Sequence, residues 1–342
     1  MGRAGGSHFW KVLASVVLAV VLFAVFLWTA PLREVGKTLV QVKLGWVLAS
    51  VAVALATYVL RALRWGLILR PVGRAGTANV IGCTAAGFAT SAVLPARAGE
   101  IVRPLLLTAR TGMPAAATLA SILTERLLDG AAVLLLFGGS VLLAKRGLNP
   151  ANLTFLRETA LLTTAGLAAA VIMVWFLLRR REATVRRVSS WAPERFRSRM
   201  ASFLHHLLDG LEVLRSPRRL LEIGIWSLGL WIVIGWQLVF LAWAFGFELS
   251  LGQAFVVVAV SVIGLAVPAP AGVGGFHWAI RFGLTQLMSV DVSTATAYAL
   301  VHHAICFFPI TVLGLCYLGA VGFSIGKVRA LEVRPDPGLE HP

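Results

Sequence analysis

Charge is scarce in this sequence, and negative charge scarcest of all. Of its 342 residues 13% are charged, with 15 Asp plus Glu against 31 Lys plus Arg. Soluble domains carry about 25% charged residues, so the shortage excludes an ordinary water-facing surface. No polar stretch leaves room for a separate soluble domain of usual size. The sequence also lacks a Walker A string, HExxH, CxxC, GxSxG and a DxD pair. Those absences remove an ATP-driven motor and the familiar metalloprotease, redox, hydrolase and metal-dependent glycosyltransferase readings. Its three cysteines, Cys83, Cys306 and Cys316, lie in apolar runs without metal-ligand spacing and read as small packing residues. No cofactor and no catalytic residue is expected.

Apolar runs are abundant instead: 58% of the residues are hydrophobic and mean hydropathy is +0.84. A run of about 20 residues crosses a hydrocarbon core about 30 Å thick. Such runs occupy about 10–30, 45–69, 115–144, 159–178, 220–247 and 294–323. Two more segments, about 77–110 and 252–288, are apolar but broken by Pro and Gly. The expectation is an all-α polytopic membrane protein, one integral domain over residues 1–342. It has six full spans plus two re-entrant hairpins, or eight spans if the broken segments cross. The first run ends Leu27-Trp28-Thr29-Ala30, a poor cleavage site, and reads as an uncleaved span.

Positive charge sets the orientation. Residues 179–219 hold eleven arginines against Glu182, Glu194, Asp209 and Glu212, a surplus of seven (11 − 4). With both termini cytoplasmic, this loop falls inside, together with Arg70, Arg74, Lys327 and Arg329; Lys37, Lys43, Lys145 and Arg146 fall outside. The surplus favours anionic lipid over nucleic acid as its partner.

A repeat organises the chain. Leu94-Pro95-Ala96-Arg97-Ala98-Gly99 recurs as Val267-Pro268-Ala269-Pro270-Ala271-Gly272, an offset of 173 residues (268 − 95). Each copy lies between two long spans, giving units over about 45–144 and 220–323 that start on opposite sides. Such inverted repeats place paired broken segments at a binding site near the midplane.

Charges inside spans need a reason. Glu125, Arg126 and Asp129 crowd one side of a helix, with Glu125 roughly 15 Å deep at 1.5 Å per residue. They form either a structural lock or the wall of a polar pathway. Arg97, Glu100 and Arg103 surround the first break, where free helix-start amides and guanidinium groups suit a phosphate. Arg61 and Arg64 near a span end read first as snorkelling residues that can also face this hairpin. The second break, with Gly272, Gly274 and Gly275, opens a helix carrying His277 and Arg281; closely spaced glycines permit an anion nest. His302 and His303 read as packing histidines.

Arg61-Ala62-Leu63-Arg64-Trp65, Leu94 through Pro104, Glu125 through Asp129 and Pro270 through Gly275 occur in that order within residues 45–320. This succession resembles the transmembrane, flippase-like region of lysyl-phosphatidylglycerol synthases and similar stand-alone membrane proteins. The resemblance implies movement of anionic phospholipid or polyprenyl-phosphate lipid across a bacterial inner membrane. Full synthases add a soluble aminoacyltransferase domain; with the chain ending at Pro342, that activity is expected to be absent. With no ATP site, transport would be passive or ion-driven. Two alternatives stand beside this one: a non-catalytic scaffold for a lipid-modifying or glycosyltransferase partner, and a membrane-embedded enzyme on a lipid-linked substrate.

Overall fold

A computed structural model describes residues 4–94, 97–143 and 153–322. The calls on Pro95, Ala96, Lys145, Arg146, Lys327, Arg329 and the C-terminal tail lie outside these residues. Among the described residues every regular element is helical: α1 (Ala4–Trp28), α2 (Leu32–Val40), α3 (Leu44–Leu69), α4 (Thr77–Val93), α5 (Gly99–Thr111), α6 (Ala115–Leu143) and α7 (Leu153–Arg179) lead. After them come α8 (Arg181–Ser189), α9 (Glu194–Gly210), α10 (Pro217–Ala244), α11 (Leu251–Gly264), α12 (Gly275–Phe282) and α13 (Val292–Ala320).

Residues 44–69, 154–179, 217–244 and 292–320 are long and apolar enough to cross a membrane, and α1 joins them if it counts with α2 as one span bent by 86°. The protein is a multi-pass membrane protein. Each of the six predicted long runs is a helix; α6 is as long as the others but, with Glu125, Arg126 and Asp129 inside it, is not among those apolar enough to cross. The broken segments are short helix pairs, α4–α5 and α11–α12. Residues 32–40 form a helix that packs on α13. One sequence expectation needs revision: the arginine-rich stretch 179–219 is not a plain loop but α8, α9 and a turn of 3-10 helix. Apolar Val185, Leu208 and Leu211 seat it against Ala120 of α6 and Val174 and Leu178 of α7.

The packing scheme maps onto itself when residues 44–143 are exchanged with 217–320. Helix α3 packs on α10; α4 on α13, and correspondingly α11 on α6. Helices α4 and α5 pair as α11 and α12 do, and α5 meets α6 as α12 meets α13. Glycine sets the closest contacts at equivalent places. A Cβ on Gly99 would lie 1.7 Å from the Gly87 carbonyl oxygen, and one on Gly275 would lie 2.4 Å from that of Gly264. Both hairpins therefore close backbone to backbone, which only glycine allows.

Gly99→Ala is expected to lower stability by about 3 kcal/mol through overpacking against backbone that cannot step aside. Gly138→Ala, at a helical site with nothing within 4 Å of the added carbon, should be neutral or stabilising by about 0.5–1 kcal/mol. Thermal unfolding in detergent reads both; equal melting temperatures for the two variants would contradict the packing.

Candidate functional site

Arg61 and Arg64 stand on α3, Arg97 and Glu100 at the first hairpin tip, Arg103 on α5, and Glu125, Arg126 and Asp129 on α6. The fold joins all eight in one network. At its base Arg64 Nη1 lies 2.7 Å from Asp129 Oδ1 and 2.8 Å from the Ser227 hydroxyl of α10, while Arg64 Nη2 is 3.5 Å from Glu125 Oε1. Arg103 Nη1 donates to both Glu125 oxygens at 3.1 and 3.0 Å, and its guanidinium stacks over Trp65 at 3.9 Å. Trp231 Nε1 donates to Asp129 Oδ1 at 3.0 Å, and Arg61 reaches Asp129 Oδ2 at 3.7 Å. Arg64 and Glu125 are fully buried; Arg103 and Asp129 nearly so. The snorkelling reading of Arg64 gives way to an anchoring one, because α10 seals its side of the helix.

Toward the surface the contacts lengthen. Arg126, 36% exposed, donates to Glu125 Oε1 at 3.0 Å but only approaches Asp129 at 3.6 Å and Glu100 at 3.9 Å. Arg97 and Glu100, 49% and 37% exposed, stand 3.7 Å apart. Arg97 also donates from Nη2 to the Leu265 carbonyl at 3.0 Å, tying the first hairpin tip to the end of α11. Arg97 and Ala271 both hold left-handed φ, 53° and 51°, uncommon for residues with a Cβ. Five arginines face three carboxylates here, a surplus of two. The buried Nε of Arg64, the Nε and Nη2 of Arg103 and the Nε of Arg126 donate no hydrogen bond to protein. Buried unpaired donors are costly; of these residues Arg126, 36% exposed, is the one open to an additional anionic acceptor.

The helix-start amides contribute less than the sequence suggests. Gly99 N–H donates to the Ser91 hydroxyl at 3.1 Å, and the amides of Glu100, Ile101 and Val102 to the carbonyls of Arg97 or Ala98. Side chains, rather than a bare helix terminus, would hold an anion.

The second hairpin has a different chemistry. Gly274 N–H points to His277 Nδ1 at 3.4 Å, and the amides of Gly272 and Val273 go to Ala269 and Pro270, so no open nest is formed. Gly275 makes the close approach to Gly264. His277 is buried between Phe23 and Phe26 of α1 and His303, whose ring is 4.4 Å away. Arg281 is a fastener for α1, donating to the Phe26 carbonyl at 3.1 Å and the Thr29 hydroxyl at 2.8 Å. Behind this hairpin lies a neutral counterpart of the charged network. Gln237 of α10 donates to the Ser50 hydroxyl of α3 at 3.3 Å and lies 3.3 Å from His302 Nδ1, with Cys306 Sγ 3.8 Å from His302 Nε2. At the repeat offset of 173 residues Arg64 corresponds to Gln237 and Asp129 to His302. Of the candidates, Arg64, Arg97, Glu100, Arg103, Glu125, Arg126 and Asp129 thus come together, and Gly272, Gly274, Gly275, His277 and Arg281 do not join them. Sequence reasoning missed Ser227, Trp231 and Gln237; Gln237, polar within an apolar run, is the one with a visible signal.

Residues 12–314 match the family model described as the lysylphosphatidylglycerol synthase TM region. The chain is also similar to the glycosyltransferase AglD of Haloferax volcanii, 25% identical over 327 residues. That match covers 86% of this chain and 52% of AglD, so the chain spans about half the length of this relative.

Removing one member of the buried pairs strands a charge, at a cost of about 3–5 kcal/mol. Glu125→Gln should therefore lower the melting temperature sharply, and Arg103→Met in the same chain should recover part of the loss. Strictly additive losses in this double-mutant cycle would mean that the two groups do not interact.

Proposed function

Because the chain belongs to the lysylphosphatidylglycerol synthase transmembrane-region family, we propose that it carries an anionic lipid headgroup between leaflets along a seam between its two hairpins. The headgroup is a phospholipid phosphate or a polyprenyl phosphate, and the tails remain in lipid. The observation that carries this reading is the graded arginine network. It is strongest at the buried Arg64–Asp129 contact of 2.7 Å and weakest at its exposed end, where Glu100 stands 3.7 and 3.9 Å from Arg97 and Arg126. The outer contacts are the ones an arriving phosphate exchanges at least cost. A phosphate there also meets a cationic surplus, and guanidinium groups hold its oxygens in pairs.

In this reading the two units are inverted repeats and α4–α5 and α11–α12 are re-entrant. The Arg97–Leu265 hydrogen bond is the contact across the seam, made near the midplane. Asp129, Glu125, Arg64 and Arg103 form the fixed floor; Arg97, Glu100 and Arg126 form the exchanging mouth. Movement is passive or driven by an ion gradient, and no bond of the lipid is made or broken. The protein sits in a bacterial inner membrane with both termini cytoplasmic, which puts the arginine-rich helices on the side where positive charge is retained. A second reading draws on the relative named as a glycosyltransferase: the chain is a membrane scaffold beside such an enzyme, with α8 and α9 as its docking surface.

Proteoliposomes containing a headgroup-labelled fluorescent anionic phospholipid, bleached from outside with dithionite, test the proposal. Wild type should expose the inner label, and Arg97→Ala should slow exposure about tenfold or more, as loss of a charge-assisted hydrogen bond predicts. A rate no faster than in protein-free liposomes, with labelled phospholipid and polyprenyl phosphate alike, would reject transport and leave the scaffold.

A further inference from the structure

A second cluster of arginines lies away from the hairpins, at the corner where α7 meets α8. Arg179, Arg180, Arg181, Arg186 and Arg215 surround a groove of about 460 Å³ that includes Glu182. Two of these arginines are committed to carboxylates. Arg181 Nη2 lies 2.7 Å from Asp209 Oδ1, and Arg215 Nη1 lies 3.0 Å from Glu212 Oε1. Arg179 stacks on Trp175 at 4.1 Å. Arg180 and Arg186 make no ion pair among the described residues, and both are exposed.

The groove is held in place from below. Val174 and Leu178 of α7, Val185 of α8 and Leu208 of α9 bury one another beneath it. Its wall continues into the apolar helix 154–179, which is long enough to cross the bilayer and ends at the groove itself. Just before that end, Trp175 and Phe176 are 44% and 51% exposed, and Trp191, beyond α8, is 79% exposed. Positive charge above and aromatic surface below is the pattern of a membrane interface.

We propose that this groove binds the phosphate headgroup of an anionic phospholipid in the leaflet where α7 ends, with the acyl chains lying along Trp175 and Phe176. Arg180 and Arg186, without an ion pair among the described residues, supply the charge, beside Arg179 on its indole. An acidic peptide or a nucleic acid would use the arginines but leave the aromatic surface on α7 without purpose, so the lipid fits more of what is present. The site is separate from the seam and does not depend on transport along it.

Native mass spectrometry of the full chain in neutral detergent, titrated with phosphatidylglycerol, measures the affinity of the first bound lipid. Each arginine near a lipid surface contributes enough that R180Q/R186Q should weaken binding roughly thirtyfold. Arg186→Gln alone, on an exposed helix face, should weaken it about fivefold and serves if the pair disturbs folding. R218Q/R219Q removes the same charge from the first turn of α10, outside the groove, and should bind as wild type does. Unchanged binding in the groove variants would overturn the site. So would equal losses in the α10 control pair, which would mean only diffuse charge. Competition by soluble glycerophosphate at equal concentration would assign the groove to free phosphates instead of lipid, and competition by an acidic peptide would assign it to protein; either result would overturn the proposal.

Discussion

Asp129 sits beneath helices that belong in hydrocarbon, where a lone carboxylate is among the most expensive groups a protein can hold. Its ionised form is tolerable because Arg64 meets it at 2.7 Å and Trp231 donates to it from the opposite helix. Arg64 in turn needs α10 to close over it and Ser227 to take one of its hydrogens. The pair therefore dictates that α3, α6 and α10 converge, and that convergence places Glu125 where Arg103 of the first hairpin can reach it. Hydrophobic burial alone would not choose this arrangement, since lipid is as apolar as leucine and gives helices little reason to associate. Polar contacts and glycine-permitted backbone approaches supply the specificity.

The two halves solve the same packing problem with different chemistry. One half fills its polar layer with arginines and carboxylates; the other uses Gln237, Ser50, His302 and Cys306, all uncharged in kind or neutral when unprotonated. A neutral layer carries a smaller desolvation cost but also weaker and longer contacts. Charge accumulates in the half that carries α3, α5 and α6, and the partner half provides the Leu265 carbonyl that accepts from Arg97. The asymmetry is what a symmetric scaffold needs if one face is to recognise a headgroup.

Much of the scaffold is legible in the sequence and much of the site is not. The long apolar runs give the long helices, and four of them, or five with the bent α1–α2 pair, are apolar enough to cross a membrane. Glu125, Arg126 and Asp129 declare themselves, since charge inside such a run always needs a partner. Their partners are hidden: Ser227 lies 163 residues from Arg64 along the chain, and Trp231 lies 102 from Asp129. Arg64 looks like a snorkelling residue because proximity to a helix end is visible and coverage by another helix is not. The glycines of the second break suggest an open backbone nest, yet their amides are spent within the hairpin. Charge also masks amphipathicity, so α8 and α9 pass for a loop although Leu204, Leu207, Leu208 and Leu211 carry a helical apolar spacing.

That hidden pair of helices bears directly on the charged site. A Cβ on Gly210, at the end of α9, would lie 2.4 Å from the Ala117 carbonyl oxygen, so α9 rests backbone to backbone on α6. About two turns further along α6, the Thr124 hydroxyl donates to the Gly210 carbonyl at 3.2 Å, and the next residue is Glu125. Helix α6 therefore carries both the contact to α9 and the carboxylates at the base of the arginine network. A displacement of α9 acts on the helix that carries Glu125 and Asp129, and the contacts with most room to respond are the long ones at Glu100 and Arg126.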